Sequence, residues 1–267
     1  MQCWPLKPVA GYLTLPVKQV TSMLQHIGES DGISLANELL DVLSAKVRLD
    51  ACTIIAYENG TRASPLSHAG RLHGGSFAET ISKYVRHFVS HDEIQSVISS
   101  AKSGGRQDTW CQLVARDEIS NEQYRTVCYD HTGISERLAI LCHYEDQRWL
   151  SIKLYRGREH GKFQDQEIER IEACAPLVVQ AVRLFYSNHL YRNQLRDVLL
   201  LRLQRLFPTL SKREQDLLRG VLDGRSSPDI ASDMGIQQVS LQTYQKRLYR
   251  KLGISSQREI IPLCTLP

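Results

Sequence analysis

The stretch LSKREQDLLRGVLDGRSSPDIASDMGIQQVSLQTYQKRLYRKLGISSQREII, residues 210–261, decides the fold of the C-terminal end of this chain. Ser211 followed three residues later by Glu214 reads as a capping box, each group satisfying backbone N–H groups that the first helical turn leaves without partners. Leu217, Leu218, Val221 and Leu222 then supply one apolar face, and Gly224 the stop. Ser226-Ser227-Pro228-Asp229 starts a second helix, with Pro228 in the first turn, where a missing N–H costs nothing. Ile230, Ala231 and Met234 face inward, Gly235 makes a tight turn and Ile236 plugs the corner. A third helix is expected over 238–252, with Val239, Leu241, Leu248 and Leu252 apolar and Gly253 ending it, and a short fourth over about 256–263. Helix, glycine turn, helix at this spacing is a helix-turn-helix arrangement.

The third helix carries Gln242, Thr243, Lys246, Arg247, Arg250 and Lys251 and no acidic residue. A helix of that composition fits a DNA major groove and repels nothing there. The charge distribution agrees. The 267 residues carry a formal charge of +4, and residues 208–267 hold nine Lys and Arg against six Asp and Glu, leaving +1 for the first 207. The basic excess lies where phosphates would be met.

Several pieces of this segment resemble one family in order and spacing: Leu210-Ser211-x-Arg213-Glu214, Ile230-Ala231, Ser240-Leu241-Gln242-Thr243-Tyr244 and Tyr249-Arg250-Lys251-Leu252-Gly253-Ile254. Together they resemble the LuxR/GerE-type helix-turn-helix over about fifty ungapped residues. That resemblance implies a DNA-binding regulator acting as a dimer on palindromic sites. It implies that Gln242, Thr243 and Lys246 read bases, and that Ser240, Arg247, Arg250 and Lys251 hold phosphates. The chain departs from the family where Ser240-Leu241-Gln242-Thr243-Tyr244 replaces the usual Thr-Val-Lys-x-His and Gln237 replaces a Ser, which bears on the operator sequence more than on the fold.

Upstream the periodicity changes several times. Residues 1–15, with Pro5, Pro8 and Gly11, read as a loose lead-in. Helical character is expected from Val17 to Leu49, with Leu35, Leu39, Leu40 and Leu43 on one face and Ser34 as an N-cap. Ala51–Glu58 reads as a strand, Asn59-Gly60 as a hairpin turn and Arg62–His68 as the return strand. Loops are expected at Gly70, Gly74 and Gly75 and at Ser103-Gly104-Gly105, with helices over 77–89 and 92–100 between them. From Trp110 to Tyr155 the pattern reads as a run of strands: Gln123–Tyr129, Glu136–Tyr144, a turn at Glu145-Asp146-Gln147, then Trp149–Arg156. Ile168, Ile171, Ala175, Val178, Val182 and Phe185 recur every three or four residues, and Leu195, Val198, Leu199 and Leu203 continue the seam less regularly. This connector is a dimerisation candidate, and Pro176 inside it is expected to kink or interrupt the helix.

The expected architecture is an α+β N-terminal sensor domain over 16–162, a helical connector over 163–206, and an all-α four-helix helix-turn-helix domain over 207–267. The sensor has an antiparallel sheet flanked by helices. Residues 137–185 resemble the last strands and closing helix of GAF-like domains. A phosphorylation receiver would need a parallel sheet and an acidic cluster, and an acyl-homoserine-lactone sensor a Trp/Tyr set that Trp4, Trp110 and Trp149 do not form. Trp110, Cys111, Cys128, Tyr129, His143 and Tyr144 are candidates to line a ligand pocket, although each is also an ordinary core residue type.

Seven cysteines, an odd number without a C-x-x-C pair, argue against a disulfide framework or zinc finger and suit a reducing cytoplasm. His68, His73, His87, His91 and His131 show no metal-ligand spacing. No nucleophile elbow or phosphate-binding glycine loop suggests catalysis. No signal peptide or membrane span is expected. The resulting expectation is a cytoplasmic, homodimeric, non-enzymatic regulator that binds double-stranded DNA and a small-molecule effector or partner, without a cofactor. The competing reading is a sensor or oligomerisation protein whose sequence-specific DNA binding is weak or lost.

Overall fold

The computed structural model describes residues 1–6, 14–27, 33–58, 62–70, 72, 77–101, 109–145 and 148–265. Two compact units divide the chain, Met1–Tyr186 and Ser187–Pro267.

The first unit is built on a six-stranded antiparallel sheet. Its strands are β1 (Gln2–Pro5), β2 (Ala51–Glu58), β3 (Arg62–Gly70), β4 (Thr109–Ala115), β5 (Ile134–His143) and β6 (Arg148–Gly157), in the order β1-β4-β5-β6-β2-β3. Both faces of the central strands are buried, so β2, β5 and β6 read as nearly continuous buried runs. One face carries Ile55, Tyr57, Ala139, Leu141 and Trp149. It is covered by α3 (Phe77–Lys83), α4 (Ile94–Ala101) and the short α5 (Glu122–Arg125). On the other side, α2 (Ile33–Ser44) donates the Ala36 N–H to Ser67 Oγ of β3 at 3.0 Å. Arg156 of β6 there grips Glu167 of α6 (Asp165–Leu206) through two bonds of 2.7 and 2.8 Å. Helix α1 (Val17–His26) completes this unit, so the helical stretch expected over 17–49 is two helices.

Three sequence expectations are corrected. The lead-in contains β1, an edge strand paired residue for residue with β4 from Gln2↔Leu113 to Pro5↔Trp110. Four residues are too few to show a period, and Pro5 is tolerated because the edge leaves its missing N–H unneeded. Gln123–Tyr129 is not a strand: α5 runs directly into a π turn at Thr126–Asp130. Its β-branched and aromatic residues were chosen by packing against the sheet, not by strand propensity. Pro176 does not interrupt α6, which runs unbroken through it for 42 residues. The turns expected at Asn59-Gly60, Gly74-Gly75, Ser103-Gly104-Gly105 and Asp146-Gln147, and the side chain of Ser34, lie outside the described residues.

The second unit holds the end of α6 with α7 (Lys212–Leu222), α8 (Ser227–Asp233), α9 (Gln238–Leu252) and α10 (Ile260–Thr265). Leu203, Leu217, Leu218, Leu241 and Leu248 are its fully buried centre. Gly220 lets α7 and α8 approach: a Cβ placed there would lie 2.8 Å from Ile230 Cγ1. Gly220→Val is therefore expected to destabilise the full chain by about 2–3 kcal/mol through overpacking. Urea unfolding checks it, and an unchanged midpoint would show that the two helices can yield.

Candidate recognition helix and ligand cleft

In the C-terminal unit a single carboxylate sets the frame. Ser211 donates its backbone N–H to Glu214 Oε2 at 2.8 Å, and the Glu214 N–H returns to Ser211 Oγ at 3.4 Å, completing the capping box. Lys251, from the far end of α9, donates to the same Glu214 oxygen at 2.7 Å and to Thr209 O at 3.0 Å. Burial raises the Glu214 pKa, but the hydrogen bonds from Lys251 and Ser211 outweigh it and hold the group below its ordinary 4.5. Arg213 donates to Met234 O at the end of α8 at 2.6 Å. Gly235, at φ 63°, turns the chain, and the Ile236 N–H closes the turn on Ala231 O at 3.0 Å.

On this frame α9 buries Leu241, Leu248 and Leu252 and leaves its opposite side open. Val239, Ser240, Gln242, Thr243, Lys246, Arg247 and Arg250 are all exposed. Six of the seven sequence candidates thus share the free side of one helix. Lys251 differs, because its ammonium is engaged by Glu214 and Thr209. Tyr244, which departs from the family pattern, packs partly buried against the domain core. A basic helix with an open face and no acidic residue, fixed by a glycine turn, is the geometry of a DNA-binding helix-turn-helix.

The N-terminal unit has a different kind of site. Between the sheet and α3, a cleft is lined by Thr53, Ile55, Phe77, Tyr84, Tyr129 and Tyr155, with Thr80, Ile81, Tyr124, Cys128 and Ile134. Space unfilled by atoms totals about 340 Å³ out to its mouth, narrowing to a core of about 20 Å³, the room of roughly one water. Tyr84 and the pair Cys128 and Tyr129 stand on two π turns, Tyr84–Phe88 and Thr126–Asp130, a rare geometry that often re-aims side chains at functional positions.

Behind the tyrosines lies a fully buried ionic cluster. Asp92 receives Lys153 at 2.7 Å and Arg137 at 2.9 Å. Tyr84 donates to Asp92 at 2.7 Å and meets Tyr57 at 2.8 Å, while Arg137 donates to Gln112 at 2.9 Å and Tyr124 at 3.2 Å. Burial alone would raise the Asp92 pKa, but Arg137 and Lys153 prevail and hold its carboxyl well below the usual carboxylate range.

Of the six pocket candidates, Cys128 and Tyr129 line the cleft. Trp110 packs at the edge of the same core, and Cys111 is buried at the neighbouring β4 position, pointing to the opposite face. His143 meets Trp149, with ring centres 5.2 Å apart, and Tyr144 meets Tyr186 at 5.0 Å. Burial pushes the Cys128 and Cys111 thiols up to about 12, which keeps them protonated near neutral pH. The residues that sequence reasoning missed are Asp92, Arg137, Lys153, Tyr84, Tyr124 and Tyr155. A signal existed: Arg137 heads the apolar run Leu138–Cys142, and Lys153 stands between Ile152 and Leu154. No group of described His, Cys, Asp and Glu residues is arranged to hold a metal ion.

The fold and exposed helix define the C-terminal unit as a helix-turn-helix DNA-binding domain. Residues 208–264 match the family described as "Bacterial regulatory proteins, luxR family", so the chain carries a luxR-family DNA-binding domain at this end. It is 25% identical over 125 residues to the transcriptional regulatory protein MctR of Rhizobium johnstonii, covering 47% of this chain and 56% of that protein. The chain therefore spans little more than half the length of this curated relative. In structure it is similar to the VqsR LBD domain from Pseudomonas aeruginosa, with a TM-score of 0.50 at 16% identity over 64% of this chain and 96% of that one. A phycocyanobilin-bound GAF domain from a cyanobacterial phytochrome follows at a TM-score of 0.42 and 10% identity, over 67% and 98%. The N-terminal fold is an antiparallel sheet flanked by helices, similar to that of the VqsR domain.

Two outcomes are expected. Asp92→Asn leaves two buried cations without a counter-charge and should destabilise the N-terminal unit by about 3–5 kcal/mol in chemical unfolding; a loss under about 1 kcal/mol would contradict the assigned cluster. For Glu214, a lowered folded pKa means that its contribution is complete at neutral pH and fades as pH falls below about 4.5, through the folded value. The stability gap between the native chain and Glu214→Gln, roughly 1 kcal/mol at pH 7, should therefore narrow towards pH 3 in a pH series of thermal unfolding.

Proposed function

We propose that the chain is a cytoplasmic transcription regulator that binds double-stranded DNA as a homodimer through α9, and that its N-terminal domain senses a small molecule or a partner and gates this binding. The observation that carries the reading is the open side of α9. In this reading Gln242, Thr243 and Lys246 meet base edges, with the Gln amide suited to adenine and the Lys ammonium to guanine. Ser240, Arg247 and Arg250 meet phosphates, which position the helix without reading sequence. Lys251 takes a phosphate only if it leaves Glu214; held there, it braces the frame instead.

The proposed division is a sensor over 16–162, to whose sheet β1 adds an edge strand, a connector over 163–206 and the DNA-binding domain over 207–267. Within the second unit, Tyr191, Leu195 and Val198 of α6 are exposed at i, i+4 and i+7, a stripe that a second copy would cover. Ile261 is likewise exposed on α10. A ligand that binds one arrangement of the dimer better than another would shift the DNA-competent population by that difference in affinity.

The test is fluorescence anisotropy on a genomic fragment selected by the purified full-length protein, compared with Lys246→Ala/Arg247→Ala. Both side chains are solvent-exposed, so folding should be unaffected. The double variant should bind at least about tenfold more weakly, and the slope of log affinity against log salt should shrink by about one for the lost phosphate contact. Unchanged affinity and slope would overturn the assignment of α9 to the groove.

A further inference from the structure

One residue on the open side of α9 is apolar. The sequence pattern groups Val239 with Leu241, Leu248 and Leu252, but the structure buries those three and leaves Val239 72% exposed on the opposite side. Val239, Gln242, Thr243 and Lys246 are all exposed and fall at i, i+3, i+4 and i+7, so they form one continuous stripe of the helix surface. Val239 stands in the first turn, two residues after the N-cap Gln237. The N-terminal residues of a recognition helix are the ones that meet base edges. A β-branched residue does not favour a helix for its own sake, so local helix stability is no reason for a valine here. A lone exposed valine is common on protein surfaces; this one is set apart by its neighbour on the stripe.

Thr243, one turn further on, donates its Oγ1 hydroxyl to the Val239 carbonyl at 3.4 Å. This is the bond to residue i−4 that threonine can make within a helix, and it selects the side-chain rotamer. With the hydroxyl turned onto the backbone, the surface that Thr243 offers to a base is chiefly its methyl group. Two apolar groups thus adjoin on the stripe, with the Gln242 amide and the Lys246 ammonium beside them. In a major groove the apolar group on a base edge is the C5 methyl of thymine, whereas guanine, adenine and cytosine present donors and acceptors there. Pressing the apolar pair onto a G·C edge would strip water from polar groups and return no hydrogen bond. Only a thymine methyl matches it.

We propose that Val239 and the Thr243 methyl read thymine, closing on C5 methyl groups in each half-site. Thr243 then discriminates by apolar contact rather than by a hydrogen bond, and Val239 is a specificity-determining residue. This rests on the reading of α9 as the recognition helix and names the base that two of its residues select.

The experiment replaces the thymines of the selected genomic fragment by deoxyuridine, one symmetric pair of positions at a time. Uracil pairs with adenine as thymine does and lacks only the C5 methyl. Binding of the full-length protein is read by fluorescence anisotropy at fixed salt. At one or more positions in each half-site the replacement should weaken binding by about fourfold per methyl removed, the ratio expected for burying one such group. Val239→Ala, and Thr243→Ser, which keeps the hydroxyl, should each bring that loss down to about twofold or less at one or more of those positions. Both side chains are exposed, so the variants should melt with the parent, and the salt slope should stay as it is because no charge is removed. Deoxyuridine fragments bound as tightly as the thymine fragment would overturn the proposal while leaving α9 in the groove. A uracil penalty equal in the parent and in both variants would also overturn it, because other residues would then hold the methyl. So would a Val239→Ala chain that loses its dimer in DNA-free light scattering, which would make Val239 a contact between copies. A chain that selects no fragment would overturn the DNA-binding reading itself, and this proposal with it.

Discussion

Asp92 is the constraint on which the N-terminal unit depends. It sits between the π turn that ends the α3 segment and the start of α4, and it receives Lys153 from β6 and Arg137 from β5. One carboxylate thereby ties the helical cover to the two central strands. It also accepts from Tyr84, which fixes that ring against Tyr57. Ion pairs of this depth seldom add net stability over an apolar core of equal volume. What they supply is uniqueness: Lys153, Arg137 and Tyr84 converge on one carboxylate in one arrangement of helices on sheet. The cleft walls inherit that arrangement, because Tyr84 and Tyr124 both belong to the network.

Glu214 plays the comparable part in the C-terminal unit. It closes the capping box of α7 and receives Lys251 from the last turn of α9, while Arg213 beside it reaches the carbonyl of Met234 at the end of α8. Two adjacent residues thus brace three helices from one side. The frame is braced from within, and α9 keeps its other side exposed, with Thr243 Oγ1 donating to Val239 O of its own helix at 3.4 Å. The two units thus use buried charge differently. In the second it is matched and fixes a scaffold. In the first it ties the helical cover to the sheet through Asp92, Arg137 and Lys153.

How far the sequence could be read follows from what makes a pattern local. The helix-turn-helix was legible almost residue by residue, because its signals are short-range: Ser211 with Glu214, Pro228 in a first turn, glycines at 224, 235 and 253 with φ near 63–69°. Strands β2, β5 and β6 were legible from their apolar, β-branched runs. Strand β1 was not, since four residues acquire strand geometry only through pairing with β4. The α5 segment misled, because Tyr124, Val127 and Tyr129 are strand-type residues that tertiary packing holds in helical turns. The cleft was least legible. Asp92, Arg137 and Lys153 lie 16 to 61 residues apart in the chain and meet only once the sheet is formed. Gly220 was passed over for the same reason, its meaning lying in Ile230 across the helix crossing.

The account stands on α9 entering a major groove, and guanine N7, which lies in that groove alone, reports on it directly. Dimethyl sulfate footprinting of the full-length protein on its selected genomic fragment is predicted to show N7 protection in two short half-sites related by two-fold symmetry, about one helical turn apart. A fragment bound with no N7 protection, or with contacts confined to the minor groove, would contradict it.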